Sequence, residues 1–149
     1  MAKFIYKMQN ILDIKLKLEE QEKTNYAIAI AELEKEKKKK ELLENKKSSY
    51  ESKLTGQVNA TLHIVDIRAT QEAIEVLKYR IHEQMVHVRN AEVVAERARQ
   101  ALRAAMIERK TYEKLKEKAF EDFKKEVNEQ EKKEVDELVS YKFGSSSAS

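Results

Sequence analysis

Along 67–105 the chain places Ile67, Thr70, Ile74, Leu77, Ile81, Gln84, Val88, Ala91, Ala95, Ala98, Leu102 and Ala105 at alternating steps of three and four residues. Only Thr70 and Gln84 in this series are polar. A 3.5-residue repeat held this long keeps one narrow stripe turned towards a partner helix, which is the pattern of a coiled coil. The small members Ala91, Ala95, Ala98 and Ala105 let two backbones approach closely. No proline interrupts 67–143, and the next glycine is Gly144. The spacing therefore predicts one helix over about 67–143, roughly 110 Å long at about 1.5 Å per residue. Only another long helix can cover a rod of that length.

The first half supplies it. Phe4, Met8, Ile11, Ile14, Leu18 and Ile28, with a neighbouring stripe at Leu12, Leu16, Tyr26, Ile30 and Leu33, predict a helix over about 2–54. Past Leu33 the seam thins to Leu43, Tyr50 and Leu54, with Glu36, Lys40 and Lys47 between them. Such a section is helical only when another helix packs on it. Ser48 and Ser49 weaken the helix, and Thr55, Gly56 and Asn59 supply turn chemistry. A connection is thus expected over about 55–66, with Gly56 as a left-handed C-cap and Asp66 as the next N-cap. Within it, 61–67 is rich in β-branched residues and reads equally as a short strand or a helical turn. A break this central gives an all-α fold, a long two-helix antiparallel coiled-coil hairpin. It forms a single domain over 1–149, with Phe4 brought near Phe143 and a disordered tail at 144–149.

Composition agrees with the hairpin. Charged residues make up 38% of the chain and aromatics 7%, with two glycines and neither proline nor tryptophan, which an ordinary globular domain does not show. The 41% hydrophobic content, placed periodically, is too much for a disordered chain. Thirty basic and 27 acidic residues leave a net charge of +3. That balance suits a solvated helical surface and lacks the positive excess of a nucleic-acid binder. Without cysteine there is no disulfide framework and no thiolate zinc site. Lys3, Lys7, Asp13 and Lys15 exclude a secretory apolar core near the start. The longest apolar run, 26–31, is far short of the roughly 20 residues that span a bilayer. The expectation is a cytoplasmic, soluble protein.

Candidate chemistry is sparse. The lysine run 37–40, with Lys35, Lys46 and Lys47, is interleaved with Glu32, Glu34, Glu36, Glu41 and Glu44 at helical spacing, as on a solvated face. His82 and His87 are five apart, wrong for two ligands on one helical face, and His63 is remote from both. Carboxylates abound, but a two-helix rod offers no desolvated pocket to separate the pKa values of an acid–base pair. Neither a phosphate-binding glycine loop nor a nucleophile motif occurs. No enzyme, cofactor or metal is expected. The aromatic load differs: Phe120, Phe123, Tyr141 and Phe143 join Phe4 and Tyr6 at one end of the hairpin. Two helices cannot bury six aromatics between them, so this end reads as a docking surface.

The end sequences carry a resemblance. Phe4-Ile5-Tyr6, then Leu12, Lys15, Glu19, Glu20 and Glu22, is similar to the opening signature of the flagellar export protein FliJ family. Glu129, Gln130, Lys132, Lys133, Asp136, Glu137 and Leu138, followed by Tyr141 and Phe143, resembles its closing motif. The likeness spans nearly the whole chain. It implies a two-helix antiparallel coiled coil in the bacterial flagellar type III protein export apparatus, serving motility and chemotaxis. Such proteins are similar to the central stalk of rotary ATPases. The implied partners are the hexameric flagellar export ATPase, the cytoplasmic domain of the export-gate membrane protein, and export chaperones. By the resemblance Phe4, Leu12, Glu129, Gln130, Asp136 and Glu137 face the ATPase ring, and Leu43, Tyr50 and Leu77 face the gate. Lys46 and Ala73 depart from the aromatics some relatives carry there. The implied location is cytoplasmic, peripheral to the inner face of the membrane at the flagellar base, with no nucleic-acid partner. The residues themselves leave open a stalk subunit of another rotary ATPase or an injectisome, a prefoldin-like holdase chaperone with strands near 61–67, and a dimeric coiled-coil scaffold.

Overall fold

The computed structural model describes residues 2–59 and 63–147. Among the described residues are two α-helices, α1 (Gln9–Asn59) and α2 (Ile64–Ser147), and no strand. They run antiparallel and pack on each other, so the all-α two-helix hairpin is observed. Every position of the expected α2 seam is buried or half-buried. The same period continues beyond Ala105 through Arg109, Tyr112, Lys116, Ala119 and Phe123. The solvated faces carry short-range ion pairs. In the lysine run, Lys37 meets Glu34 at 3.8 Å, Lys39 meets Glu36 at 3.7 Å, and Lys40 meets Glu44 at 3.7 Å.

Contacts group the chain into two compact units, Glu20–Arg103 and Met1–Glu19 with Ala104–Ser149. In the first, Ala29, Leu33, Val88 and Ala95 form the core, with Ile30, Ala91 and Ala98 packed against it. Small side chains make up most of this cluster. Gln84 and Glu36 are both seam residues. The Gln84 amide donates to the Glu36 carbonyl at 2.9 Å and to the Glu36 carboxylate. That pairing fixes the register. Thr70, 4% exposed, satisfies its hydroxyl inside its own helix by donating to the Asp66 carbonyl at 2.9 Å.

The structure corrects several expected boundaries. Helix α1 begins at Gln9 and not at residue 2, because 2–6 are held on α2 by the Phe4 and Tyr6 side chains. The Tyr6 carbonyl then accepts from the Gln9 N–H at 3.1 Å to turn the chain into the helix. At its other end α1 passes through Gly56 to Asn59. Gly56 does not take the left-handed conformation, and a Cβ there would meet nothing within 4 Å. A glycine costs a helix about 1 kcal/mol relative to alanine, too little to stop one already propagating. Thr55 even bonds back to the Glu51 carbonyl at 3.1 Å. Helix α2 starts at Ile64, so Asp66 lies within its first turn, where its charge favours the helix dipole, and is not the N-cap. The strand reading therefore fails for 64–67, and residues 60–62 lie outside the described set. At the far end α2 continues to Ser147 where a disordered tail from 144 was expected, while 148–149 lie outside the described residues.

The larger correction concerns α1's inward face. Met8, Ile11, Ile14, Leu18 and Ile28, expected at the interface, are exposed. The seam is Leu12, Lys15, Glu19, Glu22, Tyr26, Ala29 and Leu33, then Glu36, Lys40, Leu43, Lys47, Tyr50 and Leu54 as expected. Once Ala29 and Leu33 are in the core, stepping back by three and four brings Glu22, Glu19 and Lys15 inward and leaves the more hydrophobic stripe outside.

Candidate docking surface

In the unit Met1–Glu19 with Ala104–Ser149, the segment preceding α1 is pinned by aromatics. Phe4 meets Phe120 edge-on at 5.1 Å between ring centroids and Phe123 at 5.5 Å, tilted. Both are favoured arrangements of ring quadrupoles. The Lys124 ammonium lies 4.6 Å from the Phe120 centroid, a cation–π contact on the outer side. Tyr6 donates its hydroxyl to the Tyr112 carbonyl at 3.3 Å. Phe4, Gln9, Leu12, Leu16, Lys116 and Phe120 line an open groove where this segment enters the helix.

The seam beneath is ionic. Glu19, 4% exposed, takes Arg109 in a two-pronged pair, Nε to Oε2 at 2.5 Å and Nη2 to Oε1 at 3.3 Å, and Arg109 Nη1 also reaches Glu113 at 2.9 Å. The Glu19 and Glu113 carboxylates hold the Arg109 guanidinium above its ordinary pKa. Beside it Lys15 pairs with Glu108 at 2.8 Å, which raises the lysine pKa, and its Nζ stands 6.0 Å from the Tyr112 centroid. A fork-shaped donor on a planar carboxylate is directional, so this layer fixes where α1 sits on α2. Buried ion pairs contribute little net stability, and register is their best-attested role.

From 128 to 144 every side chain of α2 is exposed. Glu129, Gln130, Asp136 and Glu137 all lie in this stretch, with Glu131, Glu134, Lys132 and Lys133 among them. Glu129 and Asp136, seven apart, share one face with Val135. Of the other residues expected to face the ATPase, Phe4 is half-buried against the phenylalanines, and Leu12, 4% exposed, is a seam residue at the groove. The expected gate-facing residues lie in the other unit. Leu77 is 4% exposed, while Leu43 and Tyr50 are half-buried in the α1 seam. The structure thus brings Phe4 and Leu12 to one groove and Glu129 and Asp136 to one face of α2.

The polar seam residues Lys15, Glu19 and Arg109 were missed from the sequence. The signal that finds them is the period itself, carried back from Leu33 and forward from Ala105, which sets Glu19 against Arg109. Among the described residues no group of three or more His, Cys, Asp or Glu side chains is arranged to hold a metal ion, and no helix is long and apolar enough to cross a membrane. Neither a curated protein nor a solved structure matches the chain. A family model does, described as Flagellar FliJ protein, over residues 4–148. That match takes in both aromatic-bearing ends as well as the whole seam, and the chain belongs to the FliJ family of flagellar export components.

Proposed function

We propose that this chain is a non-enzymatic, central-stalk-like component of the flagellar type III export apparatus. Its 128–144 stretch docks into the hexameric export ATPase and promotes that ring's assembly and activity. Membership in the family supports the setting. The observation that carries the docking role is the exposure of every side chain over 128–144, next to a base locked by Phe4, Tyr6 and the Glu19–Arg109 pair. Five carboxylates against two lysines between Glu129 and Glu137 suit a positively lined hole, with contacts that weaken as salt rises. Glu129, Gln130, Asp136 and Glu137 make those contacts, and Phe4 and Leu12 hold the groove beside them. Leu43, Tyr50 and Leu77 set the geometry of the surface offered to the export gate, and export chaperones meet the same apparatus peripherally at the membrane.

The test is stimulation of the cognate export ATPase. Removing 129–143 is expected to abolish it while mean helicity per remaining residue is retained. Glu129→Lys with Asp136→Lys should reduce it at least about tenfold, the effect of losing roughly 1.4 kcal/mol of binding. Full stimulation by the truncated chain would overturn the docking role.

A further inference from the structure

The aliphatic stripe left outside the seam forms one flank of the unit Met1–Glu19 with Ala104–Ser149. Ile11, Ile14 and Leu18 are 40%, 55% and 39% exposed. Ile11 and Leu18 each stand one position before a seam residue of α1, and Leu115, 43% exposed, stands one before Lys116 in the α2 seam. In an antiparallel pair, positions with that offset share a flank, so both helices contribute to one strip. Lone exposed aliphatics need no explanation, whereas a contiguous strip at heptad spacing marks an interaction surface. Lysines outnumber acids along it, with Lys7, Lys17, Lys114 and Lys118 exposed beside Glu108 and Asp122.

The same chain carries a matching helix. Over 128–144, Val135, Leu138 and Val139 are 57%, 64% and 45% exposed on adjoining positions, amid the acidic run from Glu129 to Glu137. One surface is apolar with more lysines than acids along it, and the other is apolar with acidic neighbours. They cannot meet within one copy, because α2 is continuous to Ser147 and no bend returns its end onto α1. A second copy satisfies both at once.

We propose that two copies associate about a twofold axis, the 128–144 helix of each lying along the Ile11, Ile14 and Leu18 flank of the other. The helix is about 25 Å long and the three aliphatics span about 10 Å, so one covers the other, and the reciprocal contact doubles the buried surface. The charges set the orientation and make the association weaken with salt. This goes beyond the ATPase role and uses the acidic stretch in a second way, so a dimer and an ATPase-bound chain are alternatives.

Sedimentation equilibrium of the full chain tests it on the α1 flank, which ATPase docking does not use. The expected result is a salt-sensitive monomer–dimer equilibrium whose dissociation constant rises at least about tenfold in Ile14→Asp with Leu18→Asp. Lys7→Glu with Lys17→Glu should weaken it likewise, and adding Glu131→Lys with Glu134→Lys should restore it. As a readout independent of those variants, Ile14→Cys with Leu138→Cys in this cysteine-free chain should form disulfides between copies. A chain that is monomeric at every soluble concentration, a dimer unmoved by the aspartates, or a flank covered only when a different protein is added would each overturn the proposal.

Discussion

At the scale of single residues, polar groups decide where the helices sit and buried apolar ones hold them together. Glu36 and Gln84 show the first effect. The amide of Gln84, and to a smaller extent Lys39 and His87, holds the Glu36 carboxyl below its ordinary value of 4.5. A depressed carboxyl stabilises the fold above its unfolded pKa, and that stabilisation is lost as pH falls through the folded value. Thermal melts below pH 4.5 should therefore show a decline that Gln84→Leu reduces. An unchanged decline would mean the bond is not formed in solution. Leu33 shows the second effect. It is 8% exposed among Ala29, Val88 and Ala95, and Leu33→Ala should cost about 2–3 kcal/mol by chemical denaturation. Gly56 separates the expected C-cap from the observed mid-helix site. Gly56→Ala should stabilise by about 0.5–1 kcal/mol, whereas a left-handed cap would make the same change destabilising.

At the scale of the elements, α2 was legible almost residue by residue, because its apolar repeat coincides with its buried face from Ile67 to Ala105. Helix α1 was legible beyond Leu33 and, before that, at Leu12, Tyr26, Ile30 and Leu33 of the second expected stripe. Earlier in that helix the most hydrophobic stripe and the buried stripe differ by one residue, and hydrophobicity alone selects the wrong one. What overrides it is partner chemistry, Arg109 for Glu19 and Glu108 for Lys15, which no reading of one helix in isolation contains. The end residues of the candidate site were legible as motifs, but the burial of Leu12 and Leu77 was not separable from exposure by motif alone. If the ionic layer sets register, replacing one member of the Glu19–Arg109 pair should destabilise the hairpin. Replacing both with leucine should restore stability while letting α1 adopt the neighbouring stripe. Disulfide trapping would then find Ile14→Cys as well as Lys15→Cys joined to Tyr112→Cys, where the native pair traps Lys15→Cys alone.

At the scale of the whole molecule, the two-helix fold and the FliJ family membership give one account of the chain. This long charged sequence without proline, cysteine or tryptophan buries its seam by doubling back on itself, and doing so pins its first aromatics against the helix that carries the acidic end. Docking and self-association both require that doubling back. The most direct test is a spin-label distance between Met8→Cys and Lys118→Cys, both exposed positions in the same compact unit. The labelled chain is diluted with unlabelled protein so that only distances within one molecule are read. Adjacent helix axes are about 8–10 Å apart, so a short, narrow distribution near about 20 Å is expected once the label arms are added. A chain that stays extended would place these sites roughly 165 Å apart, beyond any measurable coupling, and the absence of a short distance would contradict the account.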